Sequence, residues 1–161
     1  KKDAIVAAFK KAHPRKKIQD VLFIDTGRRP TIKALLEQKL EKGKAPVYTY
    51  LFQYEYPING GMLSFHNSEI PFAFHSLREP HLKIGTGDAP AGYALQEKLS
   101  QAWINFARTG NPSQPGLAWK PYTPADRQAM VFDVVSECRI INDADLLSLL
   151  PNTPPPATPL A

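Results

Sequence analysis

Cysteine is almost missing from this chain of 161 residues: Cys138 stands alone, so no disulfide can form within it and a cysteine-rich zinc site is excluded. That single thiol neither demands an oxidising compartment nor forbids one. No run of about eighteen apolar residues occurs, which excludes a membrane-spanning helix, and the chain opens Lys1-Lys2-Asp3 without initiator methionine or apolar signal core. Its natural beginning is therefore expected elsewhere. A net positive excess is lacking outside one stretch: residues 1–17 carry net +6, leaving −1 for the other 144, although the whole chain sums to +5. That stretch (Lys1, Lys2, Lys10, Lys11, Arg15, Lys16, Lys17) has no interleaved aromatics and no recognisable DNA- or RNA-binding motif, so it reads as a solvated helix and loop, and no nucleic-acid partner is expected. Metal-binding spacings of the HxxxH or HExxH kind, a phosphate loop and a dinucleotide fingerprint are all lacking, so neither metal nor cofactor is expected. None of Ser64, Ser68, Ser76, Ser100, Ser113, Ser136 or Ser148 lies in a GxSxG frame, so no nucleophile elbow is encoded in recognisable form.

What remains is ordinary for a soluble globular domain: 43% hydrophobic and 22% charged residues, at a length that can bury a real core. Residues 3–12 suit a helix with Asp3 as N-cap and Ile5, Ala8 and Phe9 on one face, ended by His13-Pro14. Val21-Leu22-Phe23-Ile24 is a buried strand or the core-facing turn of a helix, and periodicity does not separate the two. Thr31–Leu40 has a helical stripe of Ile32, Leu35, Leu36 and Leu40 with Gly43 as its stop. Pro46–Tyr54, rich in aromatic and β-branched residues and apolar on both alternating faces, reads as a central strand. A helix followed by such a strand points to an α/β layer architecture.

Pro57–Gly61 breaks this pattern, and the aromatic loop after it delivers His66 beyond the end of the strand, where open α/β sheets place their sites. An imidazole suits proton transfer at neutral pH; His13, His75 and His81 lack a comparable setting. Residues 75–90 read as a connecting loop, with Asp88 capping and Pro90 opening a helix whose Leu95, Leu99, Ala102, Trp103 and Phe106 recur at helical spacing, Trp103 as core packing. Thr109-Gly110-Asn111-Pro112 ends it. Met130–Val134 and Arg139–Ile141 suit two short strands, Ala144–Leu150 a closing helix, and residues 151–161 a proline-rich flexible tail.

Three ordered segments, Ala45-Pro46-Val47-Tyr48-Thr49-Tyr50-Leu51-Phe52, Phe65-His66-Asn67-Ser68-Glu69-Ile70-Pro71-Phe72-Ala73-Phe74 and Trp103-Ile104-Asn105-Phe106-Ala107-Arg108-Thr109-Gly110-Asn111-Pro112, resemble signatures of type B carboxylesterases, the cholinesterase-like branch of the α/β-hydrolases. Trp119-Lys120-Pro121-Tyr122 followed by Met130-Val131-Phe132-Asp133 resembles that family's C-terminal ending. The resemblance implies that residues 1–150 are the C-terminal portion of an α/β-hydrolase catalytic domain, with few, mostly parallel strands, flanking helices and an incomplete sheet. It implies His66 as the triad base, Met62, Phe65 and Ser68 facing the acyl or alcohol pocket, and Glu69 as an anchor for the loop. The triad acid would belong to an earlier loop, because a carboxylate three residues along one turn is poorly placed to reach the histidine's Nδ1. His75 departs from the pattern, standing where glycine is common.

The triad of such enzymes runs Ser, then Asp or Glu, then His, so the nucleophile and acid are expected upstream of Lys1 in a protein roughly three times this length. The implied reaction is hydrolysis of a small-molecule ester through an acyl-enzyme, with this chain inactive alone. A different class stays open: cholinesterase-like folds also serve as non-catalytic adhesion or binding modules, in which His66 is a relic. A serine in GxSxG upstream decides for the enzyme, a glycine or alanine there for the module.

Overall fold

A computed structural model describes residues 1–24, 28–43, 45–58, 61–141 and 143–151, with backbone alone for residue 23 and residues 28–33. The proline-rich tail from residue 152 onward and the Asp25-Thr26-Gly27 segment lie outside the described residues. Two compact units make up the chain, one from residues 1–45 and 141–161 and one from residues 46–140.

The first unit contains helix α1 (Lys2–Ala12), a 3₁₀ helix (Ile18–Phe23), helix α2 (Arg28–Lys42) and helix α6 (Ala144–Leu149). α1 buries Ala8, Phe9 and Ala12 against Leu146, with Ile5, Val21 and Ile24 packed around them, so the expected apolar face is the face that is covered. Asp3 lies in the first turn and makes no capping hydrogen bond; there a carboxylate still complements the helix dipole. The apolar run at Val21 resolves as the 3₁₀ helix, whose Asp20 carboxylate accepts the Lys17 N–H at 3.1 Å. α2 extends beyond the expected bounds and stops at Gly43. Its leucine stripe is not a core stripe, since Leu35 is 56% exposed and Leu36 and Leu40 are half-buried.

The second unit is built on strands β1 (Tyr50–Phe52), β2 (Gln128–Phe132) and β3 (Glu137–Ile140), in that order across the sheet. β1 runs parallel to β2, with Phe52 opposite Phe132, and β2 runs antiparallel to β3. The sheet is therefore mixed rather than mostly parallel. The cause is connection length: the few residues between β2 and β3 permit only a hairpin, whereas the long helical excursion between β1 and β2 permits a parallel return. Residues 46–54 do not form a central strand either. Among the described residues β1 has one neighbour, β2, which takes the central position.

Nor are both faces of the segment buried. Tyr48, Tyr50, Phe52, Tyr54 and Tyr56 alternate onto one face, and the last three of them are buried. Ring centroids lie 6.5 Å apart for Phe52 and Tyr54 and 5.6 Å for Tyr54 and Tyr56, with Phe72 5.0 Å from Phe52. Fully burying one such phenylalanine contributes about 1.5–3 kcal/mol. Helix α5 (Pro90–Thr109) closes this core with Leu95, Leu99 and Ala102. Pro90 stands at its first position and left-handed Gly110 ends it, as its sequence predicts. The cap position falls to Ala89, while the Asp88 carboxylate instead accepts the Tyr93 hydroxyl. Two short helices, α3 (Ile70–Ala73) and α4 (Pro80–Thr86), precede α5, so residues 75–90 are not loop throughout.

Candidate active site

From the end of β1 the chain continues to Tyr56, doubles back, and pairs Tyr56 with Met62 through two main-chain hydrogen bonds of 2.8 Å. Ser64 then donates its hydroxyl to the Phe52 carbonyl at 2.7 Å, which ties the returning strand to the C-terminal end of β1. A four-residue turn follows: the Ser68 N–H donates to the Phe65 carbonyl at 3.0 Å, and Asn67 takes φ +68°. Left-handed backbone at the third residue of a turn favours glycine or asparagine. His66 is the second residue of that turn, and its side chain is exposed.

Met62 is half-buried and Phe65 is 51% exposed. Ser68 points inward, 3% exposed, with a buried hydroxyl that has no hydrogen-bond partner among the described residues. Within this chain, then, Phe65 and His66 share the outer side of the turn while Ser68 lies beneath it. The Glu69 carbonyl receives the N–H groups of Phe72 and Ala73, both at 3.0 Å, and so starts α3. Its carboxylate helps to raise the phenol pKa of Tyr50 and of Tyr56, for both of which burial is the larger cause. Two residues that hold the loop were not singled out from sequence, Ser64 and Tyr56. Tyr56 donates its hydroxyl to the Ser68 carbonyl at 2.6 Å. Its place as the last member of the alternating aromatic series 48–56 is the sequence signal that marks it.

At the other end of the same aromatic face lies an open, shallow apolar cleft lined by Tyr48, Tyr50, Trp103, Phe106, Pro112 and Trp119. Trp103 sets its ring 6.3 Å from that of Tyr50 but is 48% exposed there, so among the described residues it is not core packing; the buried side of α5 carries Leu95, Leu99 and Ala102. Among the described residues no group of three or more His, Cys, Asp or Glu side chains is placed to hold a metal ion, and no helix is long and apolar enough to cross a membrane.

A parallel strand pair joined through helices, with a histidine turn tied to the strand's C-terminal end, is the arrangement of a partial α/β-hydrolase. The sequence profile of the carboxylesterase family matches residues 8–143, and the chain belongs to that family. It is 32% identical over 101 residues to the para-nitrobenzyl esterase of Bacillus subtilis, covering 63% of this chain and 20% of that protein. With the acylcarnitine hydrolase of Rattus norvegicus it shares 32% identity over 131 residues, covering 71% of this chain and 19% of the other. Among solved structures, an esterase of Clostridium hathewayi described as hydrolysing aliphatic aromatic polyesters superposes with a TM-score of 0.80 at 32% identity, over 90% of this chain and 28% of that one. The chain spans about a fifth of the length of the curated relatives it matches.

Proposed function

We propose that this chain carries the histidine base of a serine carboxylesterase and part of the wall around its substrate. The position of His66 supports this reading most directly: an exposed imidazole on a turn that Ser64 ties to the C-terminal end of β1. Membership of the carboxylesterase family and the esterase relatives support the reaction class. His66 takes the proton of a serine hydroxyl as it attacks the ester carbonyl, gives that proton to the departing alcohol, and then activates water to release the acid. The serine, the acid that orients His66 and the oxyanion donors come from an upstream portion of the same protein, because no serine of this chain lies in a GxSxG frame. Met62 and Phe65 contribute to the acyl or alcohol pocket, Ser68 backs it from beneath the turn, and Glu69 anchors the loop.

The 161-residue chain alone is expected to leave a short-chain nitrophenyl ester intact, since loss of a triad serine or base costs about 10⁶ in kcat. In the esterase completed with its upstream portion, His66→Ala removes turnover and leaves the fold in place. Hydrolysis by the isolated chain that disappears in His66→Ala overturns the division of the triad; full turnover by the completed His66→Ala enzyme overturns the base.

A further inference from the structure

Tyr56 stands where the buried aromatic face ends and the His66 excursion begins. Its N–H and carbonyl pair with Met62, its hydroxyl reaches the Ser68 carbonyl at 2.6 Å, and its ring centroid lies 5.3 Å from that of Phe65. One residue thus holds the chain before, beside and after His66. Tyr56 is itself fixed, 5% exposed between Tyr54 and Phe72, with ring centroids at 5.6 and 6.3 Å. Burial, then the neighbouring Tyr54 and Glu69, push its phenol well above the ordinary tyrosine range, so the hydroxyl stays a donor wherever an imidazole exchanges protons. A misplacement of about 1 Å at a reacting group can lower a rate roughly 10²-fold, so whatever holds this turn bears on chemistry at His66.

We infer that Tyr56 is the positioning residue for His66, acting through the Ser68 carbonyl and the Phe65 ring to hold the turn on which the imidazole is carried. The inference rests on the reading of His66 as the base, yet it is tested without turnover. Tyr56→Phe keeps the ring and removes the one hydroxyl. In the 161-residue chain this variant should speed hydrogen exchange of the Ser68 amide, which closes the turn, by about tenfold or more. It should also increase the mobility of the His66 ring in carbon relaxation, while His81, remote in sequence from the turn, keeps its behaviour. Phe65→Leu, a change at a half-exposed site, removes the ring contact alone and should loosen the same amide to a smaller degree; it serves where Tyr56→Phe does not fold. Unchanged Ser68 exchange and His66 relaxation in a folded Tyr56→Phe chain, or in Phe65→Leu, overturn the positioning role.

In the completed esterase the Tyr56→Phe change should lower kcat about ten- to a hundredfold with KM nearly constant. A purely structural role would instead lower the amount of folded enzyme and leave kcat per folded molecule alone. The two readings fail separately: turnover that survives His66→Ala removes the base and leaves the exchange result standing, whereas a silent Tyr56→Phe removes the tether and leaves the base.

Discussion

His75 and Glu97 face each other across α3 and α5, with Nε2 of the imidazole 2.7 Å from the carboxylate Oε1. The histidine reaches that partner from a left-handed backbone, φ +58°. Its N–H points to the Phe72 carbonyl and the following Ser76 N–H to the Pro71 carbonyl, which is the hydrogen-bond pattern of a helix C-terminus that ordinarily ends on glycine. A left-handed non-glycine residue costs about 1 kcal/mol, and an exposed pair returns about 0–0.5 kcal/mol of that. His75→Gly is therefore expected to stabilise the chain by about 0.5–1 kcal/mol. A higher urea midpoint with unchanged slope is the result to look for, and a lower midpoint would show that the Glu97 contact outweighs the backbone.

Ser68 gives a second test. Its hydroxyl is buried without a partner among the described residues, a situation that costs about 1–3 kcal/mol when nothing compensates. Ser68→Ala removes the stranded group and little volume, so stability should hold or rise by about 1 kcal/mol. A loss larger than about 1 kcal/mol in denaturant titration would mean that the hydroxyl has a partner after all.

The parts of this fold that were legible in the sequence are those decided within a few residues. Pro90 and Gly110 bracket α5 because each fits its backbone position locally, and the Phe9 face of α1 follows from helical spacing. The turn carrying His66 follows the end of β1, and the break in pattern that marks it needs no distant partner to be seen. What escaped depends on neighbours. The extent of β1 is set by where β2 can pair with it, and the exposure of Trp103 and Leu35 by what lies opposite them, none of which is written in the local pattern. α4 escaped for another reason: seven residues that include Pro80 and Gly85 carry too little periodicity to separate from a loop. The Tyr56 to Ser68 hydrogen bond spans twelve residues and leaves no trace beyond an aromatic ladder.

Gly87 couples α4 to the base of the His66 excursion. Its φ is +70°, and a Cβ placed there would lie 2.6 Å from Cγ of Pro57. Gly87→Ala must carry both the left-handed strain and the displacement of a proline ring next to Tyr56, for a loss of about 2–3 kcal/mol. Gly116 is the matched control, with φ +74° and nothing within 4 Å of an added Cβ, so Gly116→Ala should lose only about 1 kcal/mol. Equal losses for the two variants in thermal unfolding would show that Pro57 yields freely.

Tyr50, Tyr54 and Tyr56 set the alkaline limit of the second unit, and the last two are the buried ones. Both phenols are pushed up, Tyr54 by burial and then by the Asp133 charge, Tyr56 by burial and then by Tyr54 and Glu69. Above about pH 10 the unfolded chain loses these protons while the folded chain keeps them, so the folded state binds more protons and stability falls as pH rises. The contribution is present below about pH 10 and is lost as pH rises further, because the unfolded chain releases protons that the fold retains. Urea unfolding followed from about pH 9 to pH 11 should show stability falling with pH, and Tyr56→Phe should lessen the fall because phenylalanine has no proton to hold. A stability that stays level across that range would place both hydroxyls in contact with water rather than in the core.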